Sequence, residues 1–377
     1  MNFELSKEHE AIRRVARLFA EKVVEPVAAE LDRTHKFSWE VFREMQMHGM
    51  VGVSFPEEYG GSGSDDLARV LVIEEIAKRC ASNAVTLSVS HIAPSCILAF
   101  GTEEQKHKFV PPLLAGDALS AFALTEANSG SDAASLRSTA IADGDEYIIN
   151  GSKIFITNGA WARYVIVFAL TGGPRKISAF IVEKGTPGLS YGKPEEKLGM
   201  HGTETVEVVL KDCRVPKENL LGEKDKGFSI AMKALDSGRI GIAAQSLGIA
   251  ERALSEAAGY MRTRVQFGKP IGAQQGLSWY VAEMKVRIEA ARNLIYKAAW
   301  LKDAGKPFAM DAAIAKLHAS ETANFCAHRA LQIHGGYGYM NEYVLERLYR
   351  DAKVLEIYEG TSEINRLVIA RSVLGPL

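Results

Sequence analysis

The sequence predicts an α+β chain in which two helical regions flank a middle antiparallel β-domain. Three observations carry this reading. The hydrophobic period is helical from residue 1 to about 118, becomes two from 119 to 225, and is helical again from 226 to 377. The 377 residues exceed one usual core, since single cores stop growing near ~250 to 300 residues, so two or three packed units are expected. With 47% hydrophobic and 24% charged residues the chain can bury a large core.

In the first region, 1–118, Ile12, Val15, Phe19 and Val23 fall on one helical face, and Leu67, Val70 and Leu71 begin a second stripe. Thr102-Glu103-Glu104-Gln105 fits a capping box, with Thr accepting from a backbone N–H and Gln reaching back. In the second region, "YIINGSKIFITNG" sets Asn150-Gly151 between β-rich runs, which predicts a type I′ hairpin. "ARYVIVFAL", "ISAFIVEKG" and "TETVEVVLKDCRVP" add short strands separated by Gly and Pro. In the third region, long helices are expected over 238–263, 275–304 and 309–333, with Met284, Ile288, Ala291 and Ile295 as a buried stripe of a helix bundle. Ile364, Leu367, Val368 and Arg371 predict a short last helix, stopped by Gly375-Pro376.

Charge and cysteine usage narrow the function. With 45 basic and 46 acidic residues the net charge is -1, so no global field favours nucleic acid or an anionic membrane. Cys80, Cys96, Cys213 and Cys326 form neither CxxC nor a tight framework, as expected where thiols stay reduced. The first twenty residues are charged throughout, unlike a secretory signal, and no run of ~20 uninterrupted apolar residues offers a membrane span. These features place the protein in the cytoplasm, bacterial or archaeal. Neither GxGxxG nor GxxxxGK[ST] occurs, which disfavours a nicotinamide dehydrogenase and a P-loop NTPase. HExxH is missing, and Cys326 and His328 would point to different sides of a helix, so no metal site is indicated.

Four stretches carry candidate chemistry, each with a plain alternative. "LTEANSGSD", 124–132, could let backbone N–H groups approach a ligand, or be an ordinary Ser/Gly turn. "HGGYG", 334–338, could cap a helix, approach a phosphate, or serve an esterase; no G-x-S-x-G elbow accompanies it. "RTRVQFGKPIGAQQ", 262–275, offers a guanidinium, an aromatic face and amides suited to a nucleotide, or is a solvated interhelical loop. In "LEIYEGTSEINRLVIA", 355–370, Glu359 is either a carboxylate held out of water, with a raised pKa suited to a base, or an exposed residue favouring a helix N-terminus.

Taken together, "ALTEANSGSD", "KIFITNG", "KLGMHGTETVEVVLKDCRVPKENLLG", "LDSGRIGIAAQSLGIA", "RVQFGKPI", "QIHGGYGY" and "YEGTSEI" resemble the acyl-CoA dehydrogenase family, in that family's order and over nearly the whole chain. The resemblance implies an N-terminal helical domain, a middle β-domain and a C-terminal four-helix bundle, usually assembled as a homotetramer holding FAD between subunits. It assigns Phe122, Leu124, Thr125, Gly130 and Ser131, with Phe155, Ile156 and Thr157, to the flavin ring and its surroundings, Thr125 and Thr157 hydrogen-bonding the isoalloxazine. Arg264, Phe267 and Gln275 match positions for the pyrophosphate and adenosine, together with Gln332, Gly335 and Gly336 from an adjacent subunit. Thr361 and Glu363 match a further flavin contact, although many members have Gln where Glu363 stands.

Ser131, Asp236, Arg239 and Gly360 match acyl-CoA positions, with Tyr358 and the helix "VTLSVSHIAPSCILAF" as candidate walls. Glu359 matches the catalytic base. Some relatives carry that base at the position of Gly238, which has no side chain to do the chemistry. The reaction implied is α,β-dehydrogenation of an acyl-CoA thioester to the trans-2-enoyl-CoA. Glu359 would take the α-proton, flavin N5 the β-hydride, and electron-transferring flavoprotein the electrons. An acyl-CoA oxidase using oxygen and a non-catalytic acyl-CoA-binding protein are the rival readings. The style of "LDSGRIGIAAQSLGIA" is closest to short-chain members, and "TLSVSHIAPSC" lacks the arginine of glutaryl-type relatives. His91 is either a pocket-lining polar group or a core histidine.

Overall fold

The computed structural model describes residues 4–375. Helix α1, Lys7–Phe19, starts where the Ser6 side chain accepts from the His9 N–H and runs through a π-turn, Ala20–Val24, into α2, Glu25–Thr34. Its buried face is Ala16, Phe19, Ala20 and Val24, while Val15 is 46% exposed. Of the expected stripe, Phe19 lies in the core and Ile12 and Val23 pack against it; Val15 alone faces out, and the small Ala16 takes the buried place beside it. Next come α3, Trp39–Met47; α4, Asp66–Ala77; α5, Ala81–Ser90; α6, Ile92–Phe100; and α7, Glu103–Leu114, which opens with the expected Thr102/Gln105 capping box. By length and composition alone Ala81–Phe100 could cross a membrane. In the fold it is broken at His91 and 78% of its apolar window is buried in protein.

The middle of the chain forms an eight-stranded sheet from β1, Leu119–Ala123; β2, Thr139–Asp143; β3, Glu146–Thr157; β4, Ala162–Leu170; β5, Ile177–Glu183; β6, Leu189–Tyr191; β7, Thr205–Pro216; and β8, Leu220–Leu221. Its pairings are antiparallel except that β1, and one residue pair of β2, run parallel to β4. The hairpin expected at Asn150-Gly151 is not there. Both residues lie inside β3, at a bulge opposite β7, and a Cβ at Gly151 would strike the Ser138 side chain, so this glycine permits a close approach rather than a turn. The hairpin is one step earlier: Gly144-Asp145, with Gly144 at φ 58°, joins β2 to β3.

Helix α8, Gly227–Thr263, starts earlier than the expected 238 and ends in a small hairpin of β9, Val265–Gln266, and β10, Lys269–Pro270. The long helices α9, Gln275–Asp303, and α10, Ala309–His334, pack with it; α11, Val344–Val354, and α12, Ser362–Leu374, pack on α10. Met284, Ile288, Ala291 and Ile295 are all buried, as expected. Helix α12 forms where the short last helix was expected and ends at Gly375, but its buried residues are Ser362 and Asn365, while Leu367, Val373 and Leu374 face out. Gly375 at φ 75° follows it, and Pro376 lies outside the described residues.

The two helical regions share one core, which runs from Ala16 and Phe19 through Val70 and Ile73 to Leu247, Ile288 and Ala323. A second core joins α6 and α7 to β4, β5 and the start of α8. Glu359 sits on the turn between α11 and α12, close to where these cores adjoin.

Candidate functional site

Helix α11 ends at Val354 and the chain makes a tight turn over 355–361. Glu359 at φ 52° and Gly360 at φ 94° are consecutive left-handed residues. For a non-glycine residue this conformation costs of order 1 kcal/mol or more and persists only when the surroundings impose it. Here the Tyr358 N–H donates to Val354 O at 3.1 Å and the Ser362 N–H to Glu356 O at 2.9 Å. The Gly360 carbonyl accepts from Lys316 Nζ at 2.6 Å and from Asn365 Nδ2 at 2.9 Å. Thr361 caps α12 by accepting from the Ile364 N–H.

The turn delivers the Glu359 side chain to the middle of α8. Its Oε2 is sealed from solvent and has no hydrogen-bond partner among the described residues. Removal from water disfavours the charged form and raises the carboxyl from the ordinary 4.5 to about 7; Arg239 and Lys316 hold it from rising further. Space for the carboxylate comes from Gly238, where a Cβ would lie 2.5 Å from Oε2. One residue on, buried Arg239 donates to Asp236 Oδ1 at 2.6 Å, and its Nε is buried without a partner. On the α6 side Cys96 faces the same space: burial, then the Glu359 charge, push its thiol up to about 12.

The surroundings are fixed by polar contacts between helices. Tyr358 donates to Gln245 Oε1 at 2.6 Å, and Gln245 Nε2 donates to Ala81 O at 2.9 Å, tying the turn to α8 and α5. Arg69 donates to Ser237 O at 3.3 Å and Lys302 to Ser237 Oγ at 2.7 Å, while both bind buried Asp66, so α4 and α9 lock the Ser237-Gly238-Arg239 segment. His91 belongs to the structure beneath: it bonds Ser54 Oγ and Ser95 Oγ at 2.9 Å and stacks on Phe55. Burial, with Arg69 and Lys302 nearby, holds it well below its ordinary range, so it is a neutral core histidine.

The stretches 122–131 and 155–157 are drawn together because the Ile154 N–H donates to Thr125 O at 2.9 Å and Lys153 Nζ to Leu124 O at 3.2 Å. Neither the Thr125 nor the Thr157 hydroxyl has a hydrogen bond among the described residues. Phe155, at φ 58°, sits at a bulge of β3 opposite β7 and is 62% exposed. A separate cleft of about 580 Å³ is lined by Arg264, Phe267, Gln332, Gly335 and Gly336. Arg264 lies over the Tyr337 ring at 5.4 Å, and Phe267, at φ 51°, is 94% exposed. Gln332 to Gly336 line this cleft together with Arg264 and Phe267. The reason is the fold: α8 and α10 end at the same edge of the bundle.

Three family descriptions match successive parts of the chain: acyl-CoA dehydrogenase N-terminal domain over residues 6–117, middle domain over 121–213 and C-terminal domain over 225–374. The chain belongs to the acyl-CoA dehydrogenase family. Among solved structures, butyryl-CoA dehydrogenase from Megasphaera elsdenii superposes on this acyl-CoA dehydrogenase with a TM-score of 0.97 at 48% identity, covering 99% of this chain and 100% of that one. A chain of the structure described as "Electron transferring flavoprotein of Acidaminococcus fermentans: Towards a mechanism of flavin-based electron bifurcation" gives 0.98 at 47% identity, covering all of both. Acryloyl-CoA reductase (NADH) of Anaerotignum propionicum is 52% identical over 99% of this chain and 96% of its own.

Acyl-CoA dehydrogenases depend on FAD, and the residues present fit such a group. The cleft combines a guanidinium, amide side chains and exposed aromatic rings beside Gly335 at φ 60° and Gly336, both open to approach. The Thr125 and Thr157 hydroxyls lie outside that cleft, on the loop after β1 and at the end of β3. Of the residues matched to acyl-CoA, Asp236, Arg239, Tyr358 and Gly360 converge on Glu359. Ser131 and Gly130 lie on an exposed turn of the β-domain, joined to Glu359 by no hydrogen bond among the described residues. Glu363 points to solvent beside Arg366, and Gln275 starts α9 without being among the residues lining the cleft. Sequence reasoning missed Lys316, Asn365 and Gln245.

Proposed function

We propose that this acyl-CoA dehydrogenase acts on a short, straight-chain acyl-CoA thioester and that Glu359 removes the α-proton. The observation that carries the reading is a sealed, unpaired carboxylate oxygen on a group poised near pH 7, as a base working at neutral pH requires. The Glu359 N–H donates to no group among the described residues, which leaves it able to polarise the thioester oxygen. One such donor contributes roughly 3 to 4 kcal/mol to transition-state stabilisation. Tyr358, fixed by Gln245, and the α6 wall around Cys96 keep water from the base. Bound FAD supplies the acceptor for the β-hydride. Thr125, Thr157 and the Arg264–Gly336 cleft hold it, and Asp236, Arg239 and Ser131 position the thioester ligand.

For the electron acceptor we infer an electron-transferring flavoprotein, on the likeness to the Acidaminococcus structure. A homotetramer accounts for the apolar surface of the C-terminal helices, where Trp279, Val286, Trp300 and Tyr339 are exposed. A cytoplasmic location suits four cysteines that stand as buried free thiols. Anaerobic flavin reduction over straight, branched and cyclic acyl-CoAs tests the substrate class: butyryl-CoA should be fastest, and preference for a long or branched chain refutes it. Peroxide formation in air would point instead to an oxidase.

A second reading is the reverse reaction, reduction of a 2-enoyl-CoA. A carboxyl that ionises near 7 is half protonated at neutral pH and can return a proton as readily as take one, and the acryloyl-CoA reductase relative carries a name for that direction. Rates of crotonyl-CoA reduction and butyryl-CoA oxidation, measured with the same electron partner, separate the two.

A further inference from the structure

The base turn is held by a lysine that its local hydrogen bonding does not explain. Lys316, in the middle of α10, has 0% of its surface exposed, surrounded by Ala312, Ala313, Ala315 and Ala319 on its own helix. Its ammonium makes one hydrogen bond among the described residues, to the Gly360 carbonyl at 2.6 Å, and no ion pair. That carbonyl already has a neutral donor, Asn365 Nδ2, at 2.9 Å. A buried ammonium without a carboxylate contact is costly, so a second charged donor on a satisfied carbonyl calls for another purpose.

The charged groups around it supply one. Glu359 and Glu356 approach from the turn, Glu363 from α12 and the like-charged Arg239 from α8, and Glu359 is the strongest of these influences. Glu356 has its own cation, Lys353, at 2.6 Å, and Glu363 is exposed beside Arg366. Arg239 is engaged by Asp236 at 2.6 Å. Glu359 alone is acidic and unpaired, with a carboxylate oxygen buried away from solvent. Tyr358 and Cys96, which also face it, are neutral groups held far above neutral pH by burial.

We infer that Lys316 is a positioning residue for the base: it pins the Gly360 carbonyl so that Glu359 keeps its left-handed backbone, and its charge holds Glu359 in the ionised state that accepts a proton. This inference rests on Glu359 being the base. Burial pushes the lysine down to about 8 while the Glu359 charge supports it, so it remains the cation of the pair at neutral pH.

The test uses flavin-loaded enzyme and acetyl-CoA, whose methyl group has α-hydrogens but no β-carbon, so proton removal is read alone. Exchange of these hydrogens with deuterated water, followed by mass spectrometry, should rise with pH through the ionisation of the base. Lys316→Met should move that rise up by about one pH unit, because a lost cation lets the carboxyl pKa climb. Lys316→Arg should return it towards wild type. If Lys316→Met does not retain flavin, Lys316→Gln, which keeps a donor without charge, should show the same upward move. A rise unmoved in both neutral variants, with flavin bound, overturns the inference. Glu359→Gln separates the two levels: if it exchanges as fast as wild type the base assignment itself fails, whereas silence there with an unmoved Lys316→Met profile refutes only the role of Lys316.

Discussion

Gly238 and Glu359 are complementary in shape: a single methyl group on the helix position would lie 2.5 Å from the carboxylate oxygen, closer than any real Cβ contact. The absent side chain on α8 is therefore the volume that the Glu359 carboxylate occupies. Gly238→Ala should displace the carboxylate and lower the rate of flavin reduction by acyl-CoA at least tenfold, since misplacement of about 1 Å can cost on the order of a hundredfold. Flavin content should stay the same. The check is stopped-flow reduction alongside the absorbance ratio of flavin to protein.

The pH profile follows from the burial of Glu359. As a base it must be ionised, so reduction at low acyl-CoA concentration should rise with pH through about 7 and level off above. Enoyl-CoA reduction needs the protonated form and should fall over the same range. Stability carries the opposite sign to oxidation: a carboxyl raised from 4.5 to about 7 stabilises the fold below 4.5, and that contribution is lost as pH rises through 7. Melting curves of apoprotein should fall more steeply between pH 5 and 8 for wild type than for Glu359→Gln.

Arg264 is the one guanidinium among the residues lining the cleft, and it is held over Tyr337. Arg264→Ala removes that cation, so purified protein should carry less FAD, and the apoprotein should bind added FAD at least tenfold more weakly, as expected when a charge-assisted contact worth ~1.5 to 3 kcal/mol is lost. Undiminished flavin content would move the nucleotide elsewhere.

Glu74 anchors the helical core rather than the chemistry. Fully buried on α4, it accepts from Arg292 at 2.8 Å, Arg13 at 3.2 Å and Tyr296 at 2.9 Å, with Lys78 at 3.3 Å. Glu74→Ala leaves these groups without their shared partner and should cost ~3 to 5 kcal/mol in urea unfolding. Its effect on the pH dependence of flavin reduction should be nil.

How much of this was legible in the sequence depends on how local each cause is. The long helices with Met284, Ile288, Ala291 and Ile295 inward, and the Thr102 capping box, rest on neighbours three or four residues apart, and both were legible. Asn150-Gly151 misled because the pair marks a turn only when strands reverse; here Ser138 across the sheet demands a glycine. Val15 misled because the packed face of α1 follows alanines that a search for large apolar residues passes over. Glu359 was found through its motif, yet its environment comes from α6, α8 and α10, more than forty residues away. Lys316 was missed since one lysine in an alanine-rich helix reads as the solvated face; alanine on every side, which leaves no apolar stripe to face inward, was the available signal.

The central claim is that Glu359 takes the α-proton. Its most direct test is anaerobic stopped-flow mixing of flavin-loaded Glu359→Gln with butyryl-CoA. The variant should bind FAD and the thioester but lose bleaching of the flavin absorbance by about a hundredfold or more, the usual contribution of a positioned base. Bleaching at a rate close to wild type would contradict it.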